Sequence, residues 1–151
     1  MTRAEKAEKY FYEGYACSQA VALAFVDLTK ISFEEMSKLS LPLGGGLARL
    51  RITCGAVSGM ALIVGLIFSD SEPSEENKLA IYERVRTLIE KFVLEKKTIN
   101  CKELLENSAL EVEVGGKPES RTDEYYKKRP CGKIVYLAAE ILEKYLKEEL
   151  K

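Results

Sequence analysis

The chain has no histidine and no tryptophan in its 151 residues. Without histidine, Ser-His-Asp and Cys-His catalysis are excluded, and so is a histidine-ligated haem. No charge of one sign dominates: 23 Lys+Arg against 24 Asp+Glu leave a net −1. Bulk nucleic-acid binding needs a basic face, so no nucleic-acid partner is expected. Long hydrophobic runs are missing too. The longest mostly apolar stretch, Cys54 to Phe68, falls short of the ~18 residues of a membrane span. The opening MTRAEKAEKYFYEGY lacks the apolar segment of a secretory signal, and a cytoplasmic location is the expectation. There is no C-x-x-C pair, the spacing that zinc sites usually bring.

What remains is enough for a core. Hydrophobic residues make up 46% of the chain, and residues 1–151 read as one domain. Thr2 and Glu5 have capping-box spacing and open a helix that runs to about Glu13. From Tyr15 or Ala16 to about Thr29 the pattern is apolar almost all round, as in a central buried helix. Ser32 and Glu35 start a short helix over Phe33–Leu39. The stretch from Gly44 to Thr53 reads as a loop, followed by a helix over Cys54–Phe68. A long amphipathic helix is expected over Glu75–Lys96, with Leu79, Tyr82, Val85, Leu88, Ile89, Phe92 and Val93 as its inner stripe. Asn100 and Glu103 place Cys101 at the first position of a short helix, and Pro130 and Cys131 open the last one. Between them, Asn107–Arg129 reads as an irregular loop with extended character at Leu110, Val112 and Val114. The fold expected is an all-α bundle of five to six helices.

Four cysteines stand out: Cys17, Cys54, Cys101 and Cys131. Each falls at an expected helix start, where free backbone N–H groups and the positive end of the helix dipole favour thiolate. A lone cysteine is usually a small buried hydrophobe, but four at helix starts point to a shared site. In a cytoplasmic protein such a set indicates metal or catalysis more than structural disulfides. If the four meet, three chemistries are open: an iron–sulfur cluster, thiol–disulfide exchange without metal, or a structural zinc. Gly55, Gly59 and Ala61 are small residues near one-turn spacing that let a backbone or a bulky cofactor come close. Basic residues precede two cysteines: Arg49 and Arg51 before Cys54, and Lys127, Lys128 and Arg129 before Cys131. They read first as solvated surface, with thiolate support or docking of an acidic partner as the alternative. The triplet Gly44-Gly45-Gly46 lacks the G-K-[ST] ending of a phosphate loop, and nucleotide binding is not expected.

The run GGGLARLRITCGAVSG, with one cysteine before it and two after, resembles the redox-active protein family named for its C_GCAxxG_C_C pattern. Its core here is Cys54-Gly55-Ala56-Val57-Ser58-Gly59, with cysteine and glycine in the reverse of the order the name spells. Cys17 stands in GYACSQA, Cys101 in INCKELL, and Cys131 just before the last helix. The resemblance implies a helical redox domain whose four cysteines act together, and it links them to iron–sulfur chemistry. The reading that follows is electron transfer through a cluster held by Cys17, Cys54, Cys101 and Cys131, with Gly55 and Gly59 giving it room. Its partner would be another redox protein. The rival readings are a metal-free thiol–disulfide switch and a structural or interaction domain with buried cysteines. The long amphipathic helix and the last helix offer a face for a homodimer.

Overall fold

Short polar side chains set where most helices of this chain begin. Thr2, Ser32, Ser74, Asn100 and Thr122 each accept a hydrogen bond from the backbone N–H three residues on, which satisfies donors that a helix start leaves free. The computed structural model describes residues 1–151. Its helices are α1 (Arg3–Tyr12), α2 (Cys17–Leu23), α3 (Phe33–Ser40), α4 (Gly55–Phe68), α5 (Glu75–Lys96), α6 (Cys101–Glu106), α7 (Asp123–Lys128) and α8 (Cys131–Glu149). Short 3-10 turns lie at Val26–Leu28 and Leu41–Leu43. The fold is all-α, and its one β pairing is an antiparallel bridge between Thr53 and Asn100.

The expected five to six helices become eight. The short α6 opens at Cys101 as its cap spacing indicated, and the six-residue α7 is the helix without an expected counterpart. Helices this short are unstable alone and persist through caps and packing. α7 lies inside the stretch expected to be irregular, where Thr122 accepts from the Tyr125 N–H at 3.1 Å. The helix expected to run to Thr29 ends at Leu23. There Arg3 donates to the Ala24 carbonyl at 2.8 Å and to Asp27 at 2.7 Å. That pair holds the chain in a turn where the next helical bond would have formed.

α2 is the centre of the molecule. Ser18 to Leu23 are all buried, and the helix packs against α1, α3, α4 and α8. One apolar cluster of 26 buried residues joins these elements. Each large side chain fully buried in it, such as Leu23, Phe25 or Ile63, contributes about 1.5–3 kcal/mol. α5 lies outermost. Only Leu88 and Phe92 of its expected stripe are buried, while Leu79 and Tyr82 are 55% and 53% exposed. Ile81 and Val85 pack against the core instead, so the buried face of α5 is turned away from Leu79 and Tyr82. No helix is long and apolar enough to cross a membrane.

The segment 107–122 has neither helix nor strand, because no second strand is near to pair with it. Arginines tie it down instead. Arg51 donates to the Glu113 carbonyl at 3.1 Å, the Gly115 N–H donates to the Arg49 carbonyl at 2.7 Å, and Arg121 donates to the carbonyls of Phe11 and Tyr15.

Candidate four-cysteine site

Every cysteine stands at a helix start. Cys17, Cys101 and Cys131 are the first residues of α2, α6 and α8, and Cys54 is the residue that precedes α4. Two local devices bring these starts together. The first is the Thr53–Asn100 bridge, in which the Cys54 N–H donates to the Ile99 carbonyl and the Cys101 N–H to the Ile52 carbonyl, both at 2.7 Å. This clasp sets Cys54 and Cys101 side by side. The second is the close approach of α2 to α4. Gln19 holds the start of α2 by accepting from the Ala16 N–H at 2.9 Å and donating to the Ser37 carbonyl at 2.9 Å. A Cβ on Gly55 would lie 2.4 Å from the Cys17 sulfur, so only glycine leaves the sulfur its place.

The outcome is one small cavity lined by all four cysteines together with Gly55, Leu104, Leu105 and Ile134. The room inside is about 20 Å³, space for about one water molecule. Gly59 does not line it. Its missing Cβ instead admits the Ser18 carbonyl, 2.9 Å from where a Cβ would be, so it serves the contact of α4 with α2. Gly46 has a part that spacing did not indicate. It adopts φ 73°, and a Cβ there would stand 2.6 Å from the Cys101 Cβ. The glycine triplet is thus a tight turn laid against Cys101. Leu104 and Ile134 stand three residues after Cys101 and Cys131. That one-turn spacing is the sequence signal that would have placed them on the cavity wall.

The basic residues before Cys54 are not solvated surface. Arg49 and Arg51 are 9% and 8% exposed. Arg51 does not act on Cys54; its Nη1 donates to the Cys101 sulfur at 3.8 Å. Ahead of Cys131, Lys127 and Lys128 are exposed. Arg129 is tucked in, pairs with Glu119 and stacks 5.1 Å from the centre of the Tyr125 ring.

The expected lowering of the thiol pKa values is reversed at three positions. Burial pushes Cys54 well up, against the pull of the Val57 and Ala56 N–H groups, and the neighbouring Cys17 adds to the rise. Burial also raises Cys101, opposed by Arg51. Cys131 is pushed up to about 12 by burial and by Cys17, with Arg129 working against it. Cys17 acts on each of the other three, so the four sulfurs form one electrostatic group. Desolvation outweighs the helix starts because a lone thiolate is costly in an apolar wall.

The four cysteines are free thiols. As a donor set they match the four thiolates that hold an iron–sulfur cluster. As they stand, no three Cys, Asp or Glu groups are arranged to hold a metal ion. The gap is small for an inorganic cluster, and taking one up requires the cysteine side chains to spread.

Residues 15–145 match the model of a family described as "Putative redox-active protein (C_GCAxxG_C_C)". No curated protein and no solved structure matches the chain.

Proposed function

We propose that this chain, which belongs to the C_GCAxxG_C_C redox-active family, carries electrons on an iron–sulfur cluster held by Cys17, Cys54, Cys101 and Cys131. One observation carries the reading: four cysteines, far apart in sequence, line a single cavity. When bound, a cluster supplies a one-electron couple. The residues divide the remaining work. Each cysteine gives up its thiol proton and provides a thiolate. Leu104, Leu105 and Ile134 keep water from the sulfurs. Gly55 leaves the Cys17 sulfur its place.

Burial favours this reading over thiol exchange. An attacking thiol works best with a pKa near the ambient pH, and Cys54, Cys101 and Cys131 are all shifted away from it. A cationic iron centre reverses that penalty, because a coordinated thiol loses its proton outright. The metal-free switch keeps one observation in its favour. A gap of about 20 Å³ suits sulfurs that meet one another.

Anaerobic reconstitution with iron and sulfide separates the two readings. Cluster binding requires stoichiometric iron and acid-labile sulfide, visible absorbance, and loss of both in the Cys17→Ser and Cys131→Ser variants. Colourless, iron-free protein whose thiol count falls by two on mild oxidation and recovers with dithiothreitol overturns the cluster reading.

A further inference from the structure

Arg49, Arg51 and Arg129 are all drawn in from solvent, and they differ in what neutralises them. Arg49 and Arg129 both pair with Glu119. Arg51 pairs with no carboxylate, although it is 8% exposed. Its guanidinium makes two contacts: Nε donates to the Glu113 carbonyl at 3.1 Å, and Nη1 donates to the Cys101 sulfur at 3.8 Å. A buried cation without a counter-ion is strongly unfavourable. The one group in contact with it that can become anionic is the Cys101 sulfur.

The backbone is built to hold Arg51 there. It adopts φ 60° in a run where Leu47, Ala48 and Arg49 are also left-handed, a conformation that costs energy for residues with side chains. Its N–H donates to the Gly45 carbonyl at 3.1 Å, and its own carbonyl accepts from the Lys102 N–H at 3.3 Å. Arg51 is thereby pinned to the glycine turn on one side and to the start of α6 on the other. Strain kept at a position beside the sulfurs marks a side chain that must point inward.

The geometry points to Arg51 as the positioning residue that sets the reduction potential of the four-cysteine centre through Cys101. The inference rests on the cluster reading. Reduction adds one electron, taken from a one-electron carrier, and one negative charge to the centre. Arg51 itself gives up neither proton nor electron. Its fixed positive charge stabilises the more negative, reduced state, so its removal makes reduction less favourable.

The test is an anaerobic redox titration of the reconstituted protein, followed by its visible absorbance, with R51Q, R51K and R49Q beside the wild type. R49Q is the control, because Arg49 holds the same segment at Gly115 but touches no sulfur. R51Q is expected to lower the reduction equilibrium constant about tenfold, which is about 59 mV for one electron. R49Q stays within twofold. R51K falls between, since a lysine keeps the charge but cannot reach both the Glu113 carbonyl and the Cys101 sulfur. If R51Q does not fold, R51M, which keeps the apolar stem and removes the charge, carries the test with the same expected loss. A wild-type value for R51Q, or for R51M where R51Q does not fold, overturns the inference. So does R49Q shifting as far as R51Q. Wild-type protein that takes up no iron overturns the cluster reading and this inference with it. Loaded wild type with an unshifted R51Q overturns this inference alone.

Discussion

Two glycines of α4 allow the same substitution to be made with opposite expected outcomes. At Gly65 an added Cβ meets nothing within 4 Å. G65A then gains only the helix preference of alanine, about 0.8–1.0 kcal/mol, and the melting temperature should rise by ~2–4 °C for a chain of this size. At Gly55 the added Cβ stands 2.4 Å from the Cys17 sulfur, 3.1 Å from the Leu43 carbonyl oxygen and 3.2 Å from the Ser18 nitrogen. Relaxed contacts need about 3.5–4.0 Å, so more than 1 Å must be recovered from the sulfur alone. Two of the three neighbours are backbone atoms, which cannot swing aside. Overpacking of this kind costs about 1–3 kcal/mol, and the melting temperature should fall by ~2–12 °C. The Cys17 side chain can relieve part of the clash by rotating, but its sulfur then leaves the cavity. G55A should therefore lose stability, iron uptake, or both, whereas G65A keeps its iron. Thermal unfolding by circular dichroism and iron analysis after reconstitution check both variants. G55A that melts at the wild-type temperature and loads full iron refutes the reasoning, as does G65A that melts lower than the wild type.

Two more outcomes follow from the same contacts. The Cys131 thiol is raised from 9.0 to about 12, so the folded state holds this proton more tightly than the unfolded chain does. The corresponding stability is fully present below pH 9 and is lost as the pH climbs from 9 towards 12. Metal-free wild type should lose stability over that range faster than C131A, measured by urea unfolding at several pH values; parallel curves would count against the buried-thiol account. Arg3 caps the Ala24 carbonyl and pairs with Asp27 at 2.7 Å. Asp27 is half-exposed, so the ion pair adds little and the carbonyl bond dominates. R3A should cost about 1–2 kcal/mol and lower the melting point by ~2–8 °C, with iron uptake unchanged.

All helix starts but that of α7 were legible, because their signals are local. Thr2, Ser32 and Asn100 cap the helices that their spacing indicated, and α5 spans Glu75–Lys96 as its pattern required. The end of α2 was not legible, because it depends on Arg3, 21 residues away from Ala24. The inner face of α5 was misread at Leu79 and Tyr82 for a related reason. Apolar residues lie on more than one face of α5, and only its neighbours select the face through Ile81, Val85, Leu88 and Phe92 as the inner one. At the site, the four cysteines declared themselves by residue type and position. Arg51 did not, since its nearest cysteine in sequence is Cys54 while its contact is Cys101. That contact follows from the Thr53–Asn100 clasp, a long-range pairing that no local pattern carries.

The clasp and the burial together explain why a favourable helix start does not suffice for reactivity here. A charge at a helix terminus is worth about 0.3–1 kcal/mol at the surface and up to about 2 kcal/mol when partly buried, less than the about 4 kcal/mol of a rise from 9.0 to about 12 at Cys131. The walls of this cavity are leucine, isoleucine and glycine, and they drive Cys131 up to about 12. The N-termini and Arg51 lower the penalty on anionic sulfur without cancelling it. Cys54, Cys101 and Cys131 hold their protons in such a wall and are poor as free nucleophiles. Cys17 adds to the rise at each of them, so a proton lost from one makes the next harder to lose, and a cation among the sulfurs would offset that penalty. The raised thiols suit the proposed metal-loaded centre better than thiol exchange, which needs an attacking thiol that ionises near ambient pH.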